Sequence, residues 1–194
     1  MKTFHLAELI YDVTVRFCDC YVDRRSRTHD QMVQAARSGA RNIAEGSQDS
    51  ATSKKIELKL TGIARGSLEE LRLDYEEFLR AAGREPWPPR HPALVRFKAR
   101  RCSTLEEVRE WVHDETRTRT DSHGRTRSGK SVCVGVRPCP RSAELVANAA
   151  LSLLNICCYL LDRQINSLGA AFEAHGGFTE RLNRIRKNYG VTRR

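Results

Sequence analysis

The chain has 194 residues, enough for one medium domain to bury a core without help from disulfides or metals. Its 34 Lys and Arg against 24 Asp and Glu leave a formal charge of +10, a balance that favours polyanionic partners and says little about fold. Seven cysteines, an odd number at irregular positions with no signal segment ahead of them, argue against a disulfide framework and for reduced thiols in a cytoplasm.

Residues 4–21 place Leu6, Leu9, Ile10, Val13, Phe17, Cys20 and Tyr21 at steps of three and four, the apolar stripe of a first helix over about 4–23. A polar stretch from Asp23 to Arg27 interrupts it. Thr28 or Asp30 then offers an N-cap for a second helix over about 29–45, through Val33, Ala36, Gly39, Ala40 and Ile43, with Gly46 as its expected stop. Because this stripe is built from Ala and Gly, its partner can approach closely, and Gly39 is the expected point of tightest contact.

The third helix, over about 53–82, carries Ile56, Leu60, Ile63, Ala64, Ser67, Leu68, Leu71, Tyr75, Phe78 and Leu79 at helical spacing and ends at Gly83. After Glu85-Pro86-Trp87-Pro88-Pro89, weaker periodicity over 93–97 and 105–111, capped by Ser103 or Thr104, predicts short peripheral helices. From Thr116 to Arg141 the composition shifts to Arg, Thr, Ser and Gly. This reads as a basic loop, with Val132, Val134 and Val136 alternating as in a brief strand.

Ser142 is the expected N-cap of a fourth long helix over about 143–174, through Leu145, Ala149, Leu153, Ile156, Leu160, Gln164 and Leu168, ended by Gly176-Gly177. Its apolar stretch near Leu151 to Leu161 is interrupted by Ser152 and Asn155 and falls short of the ~20 residues of a membrane span, so no membrane anchor is expected. A basic tail follows over 176–194. Four long amphipathic helices without long strands predict an all-α fold, an antiparallel four-helix bundle with a helical and basic-loop insertion over 84–141 between helices three and four.

The charge is local. Residues 1–83 hold 13 basic and 13 acidic side chains, residues 84–142 hold 14 and 7, and residues 143–194 hold 7 and 4. The excess gathers in two clusters, Arg117, Arg119, Arg125, Arg127, Lys130, Arg137 and Arg141 in the loop, and Arg181, Arg184, Arg186, Lys187, Arg193 and Arg194 in the tail. Arg-rich segments bind phosphates without a preset shape, so these residues are the candidate nucleic-acid contacts.

The run Gln31-Met32-Val33-Gln34-Ala35-Ala36-Arg37-Ser38-Gly39-Ala40-Arg41-Asn42-Ile43-Ala44-Glu45-Gly46 resembles the signature of the four-helix-bundle proteins encoded in intervening sequences of bacterial 23S ribosomal RNA genes. Ile63-Ala64-Arg65-Gly66-Ser67-Leu68-Glu69-Glu70-Leu71 is similar to that family's second motif, and the stretch from Ala147 through Gln164 to Arg181 is similar to a subgroup with a helical suffix. The resemblance implies a basic homo-oligomer, a pentamer, with Asn42, Glu45, Gly46, Gly66, Ser67 and Glu70 as structural signature residues. Of these, Asn42, Glu45, Ser67 and Glu70 are expected, as buried or half-buried polar groups, to bond one another, cap helix ends and fix helix register, with a direct ligand role as the alternative. It also implies kinship with accessory proteins of diversity-generating retroelements, hence nucleic acid and a reverse transcriptase as partners. The insertion over 84–141 is longer than the short turn of the minimal family.

Three other chemistries have partial matches among the residues. Gly124-Arg-Thr-Arg-Ser-Gly129-Lys130-Ser131 matches the phosphate-binding loop of nucleotide enzymes, with Lys130 in the lysine position. A working loop of that kind follows a buried strand and opens a helix, and here neither flank has the pattern. Cys133 and Cys139, with Cys102 or His123 nearby, lack zinc-knuckle spacing, and Cys18, Cys20, Cys157 and Cys158 fall on or beside apolar stripes as small hydrophobes. Glu69, Glu70, Asp74, Glu76 and Glu77 lack the Glu-x-x-His arrangement of a di-iron bundle, so no metal or cofactor is expected. The expectation is a non-enzymatic binding protein. A nucleotide enzyme using Lys130 and a protein-only scaffold are the alternatives.

Overall fold

The computed structural model describes residues 2–49, 53–118, 140–175 and residue 186. Their regular elements are all helices: α1 (Lys2–Tyr21), α2 (Arg27–Asp49), α3 (Lys54–Ala81), α4 (Pro92–Arg100), α5 (Leu105–Thr118) and α6 (Pro140–His175). The alternating valines at 132–136, the Gly176-Gly177 stop and all of the basic tail except Arg186 lie outside the described residues.

Helix ends follow local chemistry. In the turn after α1 the Ser26 amide donates to the Asp23 carbonyl (2.8 Å), and the Ser26 hydroxyl accepts from the Thr28 amide (3.2 Å). Ser26 is therefore the cap, and α2 begins before either expected residue, Thr28 or Asp30. Nor does α2 stop at Gly46. It runs on to Asp49 with Gly46 buried inside it, because that glycine meets a neighbouring helix and does not bend the chain. At the start of α3 the Ser53 hydroxyl accepts from the Ile56 amide (3.4 Å). At its end Gly83 takes φ +66, while the amides of Gly83 and Arg84 reach back to the carbonyls of Arg80 and Leu79 (2.9 Å each) in a Schellman turn. Pro140 opens α6, so Ser142 sits within its first turn and not at the N-cap.

A ring of contacts joins the long helices: α1 packs on α2, α2 on α3, α3 on α6, and α6 on α1. The tightest seam is α2 on α3. A Cβ placed on Gly39 would lie 2.6 Å from Leu68 Cδ2, and one on Gly46 would lie 3.3 Å from Leu60 Cβ. The buried line of α3 runs through Glu57, Thr61, Ala64, Leu68, Leu71, Tyr75 and Leu79. Glu57 and Thr61 turn inward, with the Thr61 hydroxyl donating to the Glu57 carbonyl (2.7 Å), while Ile56 and Ile63, expected on the stripe, are 45% and 42% exposed. In the core the Tyr75 hydroxyl donates to Thr14 (3.1 Å), which donates to the Ile10 carbonyl (2.7 Å), so both buried hydroxyls are satisfied. Phe17 packs its ring on Tyr75 and edge-on to Phe78.

The short helices are not peripheral. Phe97 of α4 and Val108 and Trp111 of α5 belong to the core, and the Phe97 and Trp111 rings lie 4.8 Å apart. They supply part of the cover for α6, in which Ala147 and residues 149–154 are all buried. The expected line from Leu145 to Leu168 is buried only at its start. Beyond Leu153 the inward residues are Leu154, Cys157, Cys158 and Leu161, and Ile156 is 44% exposed. By length and composition alone Pro140–Ala174 could cross a membrane, but 67% of its apolar window is buried in the protein.

Two predictions follow from this packing. Gly39→Ala gains about 1 kcal/mol of helix propensity but meets Leu68 at an overpacking cost of about 1–3 kcal/mol, so urea melts should show a net loss. Gly66→Ala, where an added Cβ meets nothing within 4 Å, should gain about 1 kcal/mol in the same assay. Burial, with Asp19 and Asp74 adding to it, pushes the Cys18 thiol to about 12, and burial beside Cys158 does the same to Cys157. Both thiols should resist alkylation in the folded protein at pH 8 and react once it is unfolded. A thiol held protonated contributes stability that is whole below its ordinary value of 9.0 and is lost as pH climbs towards 12. Urea melts across that window should fall, and Cys18→Ala or Cys157→Ala should flatten the fall.

Candidate nucleic-acid interface

At Trp87 the insertion bonds α6 through both backbone and side chain. The Trp87 amide donates to Asn148 Oδ1 (2.7 Å), and its indole N–H donates to Glu144 Oε1 (3.2 Å). Arg84 pairs with the other oxygen of Glu144 (3.1 Å). The His91 ring stacks on Trp87 at 4.0 Å, and the His91 amide closes a turn onto the Pro88 carbonyl (2.8 Å). Pro92 then starts α4, whose missing N–H is harmless in a first turn.

The two short helices are held together by ion pairs. Arg96 donates through Nε and Nη2 to the two oxygens of Glu115 (2.6 and 2.7 Å), and Arg100 bonds Asp114. The Arg96 guanidinium holds the Glu115 carboxyl below the ordinary carboxylate range, overriding the upward push of burial. Between α4 and α5, Arg101 takes the left-handed φ of 53. Thr104 caps α5 by accepting from the Glu107 amide (3.3 Å), as expected of Ser103 or Thr104, and Glu107 accepts in return from the amides of Ser103 and Thr104.

Of the expected phosphate contacts, Arg117 is exposed in the last turn of α5, Arg141 is half-buried in the first turn of α6, and Arg186 is exposed. Arg119, Arg125, Arg127, Lys130, Arg137, Arg181, Arg184 and Lys187 lie outside the described residues, as do the whole 124–131 segment, His123, Cys133 and Cys139. The described ends of the basic loop come close together, since Thr116 and Ser142 line one cleft and Glu115 and Arg141 another. That second cleft, of about 210 Å³, brings Arg141 to Arg84, Arg96 and His91. No local motif singles out Arg84 or Arg96. The only signal for them was that both fall inside the 84–142 segment that carries the charge excess.

The signature residues sit elsewhere, on the α2–α3 seam. Asn42 donates to the Ser38 carbonyl (2.8 Å) and hydroxyl (3.1 Å), and the Ser38 and Ser67 hydroxyls bond each other (3.0 Å). Gly46 packs on Leu60, whereas Gly66 is exposed in open space. Glu45 and Glu70 are exposed and make no side-chain hydrogen bond among the described residues. Glu70 instead lines an open groove of about 690 Å³ with Asp30 and Asp74, where burial and then the Glu70 charge push the Asp74 carboxyl up. Among the described residues no group of three or more His, Cys, Asp or Glu is placed to hold a metal. No family model matches the chain, and no match is found among curated proteins or solved structures.

Glu144 is the hinge of this arrangement, since it accepts from the Trp87 indole and forms an ion pair with Arg84. Glu144→Ala should lower stability by about 1–3 kcal/mol by leaving a half-buried indole N–H and a guanidinium without their acceptor. Glu106→Ala, which removes only the exposed pair to Arg109, should change urea stability by less than about 1 kcal/mol.

Proposed function

We propose that the chain is a non-enzymatic, homo-oligomeric protein of the cytoplasm that binds nucleic acid, RNA or DNA, through the insertion and tail. In this reading α1, α2, α3 and α6 form an antiparallel four-helix bundle of the kind encoded in ribosomal RNA intervening sequences. The assembly is a pentamer by that resemblance, and a reverse transcriptase is a further partner by the same resemblance. The observation that carries the reading is the local charge excess. Over 116–141 and 181–194 there are 13 basic side chains and one acid, Asp121.

The described surface supports this placement. Glu115, Asp114 and Glu106 in α5 each pair with an arginine, so these acids do not face the basic loop with free charge. Arg117 and Arg141, at its two described ends, carry no ion pair among the described residues, and the acidic α2–α3 groove is built from other helices. A polyanion is therefore drawn towards the end of the protein where α5 and α6 meet.

Fluorescence anisotropy with a structured RNA or a DNA duplex across a salt series tests the proposal, because bound phosphates release counterions. Each lost phosphate contact on duplex DNA should flatten the log–log salt slope by about 0.9. Replacing Arg125, Arg127 and Lys130 by Gln, and separately Arg181, Arg184, Arg186 and Lys187, should weaken binding and flatten the slope while circular dichroism stays unchanged. Absence of wild-type binding near physiological salt, or unchanged binding by both variants, returns the protein to a scaffold role. Light scattering should give a defined multimer, and a monomer at micromolar concentration would refute the assembly.

A further inference from the structure

We propose that the cleft where the insertion meets α6 is a phosphate-binding pocket, with Arg84, Arg96, Arg141 and His91 as its contacts. It refines the nucleic-acid reading above by assigning one phosphate a built site, although the pocket's chemistry stands without that reading.

Four observations converge on the cleft. The first is size: about 210 Å³ falls below the ~300–1,000 Å³ of pockets that enclose whole small molecules, so it suits a single anionic group with the rest of its molecule outside. The second is donor supply. Arg96 spends Nε and Nη2 on Glu115, which leaves three of its five N–H groups, and Arg84 meets Glu144 through Nη1 alone. The carboxylates thereby fix the two guanidinium planes while leaving donors for a ligand, and tetrahedral oxyanions suit such forked donors.

The third observation is an unbalanced charge. Three arginines face two glutamates, and Arg141, half-buried in the first turn of α6, has no ion pair or side-chain hydrogen bond among the described residues. A partly buried guanidinium without a counter-ion is unfavourable until an anion joins it. The fourth is His91. Its Nδ1 is buried with no hydrogen-bond partner, and stacking on Trp87 holds the ring in place at the cleft wall.

Trp87 is both wall and reporter. Titration of the whole protein with inorganic phosphate at constant ionic strength, balanced with chloride, should change tryptophan emission saturably in the millimolar range. Arg141→Gln, which breaks no ion pair among the described residues, should weaken the response about tenfold while circular dichroism is unaltered, and Arg96→Lys, which keeps charge but loses the fork, should weaken it as well. A response that never saturates, or that both variants leave unchanged, overturns the pocket.

Two further arms separate the sources of phosphate. If RNA displaces inorganic phosphate and Arg141→Gln weakens RNA binding, the pocket holds a backbone phosphodiester. If phosphate saturates but RNA neither displaces it nor responds to Arg141→Gln, the pocket serves a small phosphate compound. Phosphate binding without any RNA binding sinks the nucleic-acid reading alone, whereas RNA binding without phosphate saturation sinks the pocket alone.

Discussion

The N-terminal half of α6 has to be covered on every side. Ala147 and residues 149–154 are buried without a break, so no single helical face of α6 meets solvent there. An ordinary amphipathic helix leaves one face to water, and this one cannot without exposing apolar surface worth about 25 cal/mol for each Å². Helices α1 and α3 pack on it, and so do α4 and α5, whose Phe97 and Trp111 join the core. The insertion is thereby an integral part of the fold.

That requirement also positions the polar chemistry. The strap that leads from α3 to α4 must cross α6, and its proline-rich backbone offers few amide donors of its own. Trp87 supplies two N–H groups to Asn148 and Glu144, and Arg84 completes Glu144. The partners that satisfy these buried groups are the same ones that bring arginines from the strap, α4 and α6 to one cleft. The proposed phosphate pocket is in this sense a by-product of fastening the insertion down.

The groove on the α2–α3 seam and the cleft at the insertion differ in charge. On the α2–α3 seam, Asp30, Glu70 and Asp74 line an open groove, and close contact there is bought with glycine at 39 and 46. On α3 the opposite flank carries Arg65, bonded to Glu69 (2.7 Å) and to Asp162 of α6 (2.9 Å), so its charges are neutralised in place. Uncompensated positive charge among the described residues of the insertion and α6 includes Arg117 and Arg141, which flank the basic loop. The proposed polyanion contact and the acidic groove therefore occupy different helices.

Periodicity and composition alone determined the all-helical character, the four long helices to within a few residues, the Gly83 and Thr104 ends and the close approach at Gly39, because each depends on neighbours three or four positions away or on one backbone angle. The location of the charge excess was legible for the same reason, being a matter of counting. Tertiary structure alone decided the rest. Gly46 became a contact and not a stop because Leu60 lies across from it, Ile56 and Ile63 face outward because the buried line of α3 runs through Glu57, Thr61 and Ala64, and α4 and α5 entered the core because α6 needed a second cover. Arg84, Arg96 and Arg141 are 57 positions apart from first to last, and no local pattern records that ion pairs of Arg84 and Arg96 with two glutamates and the start of α6 at Arg141 meet at one cleft.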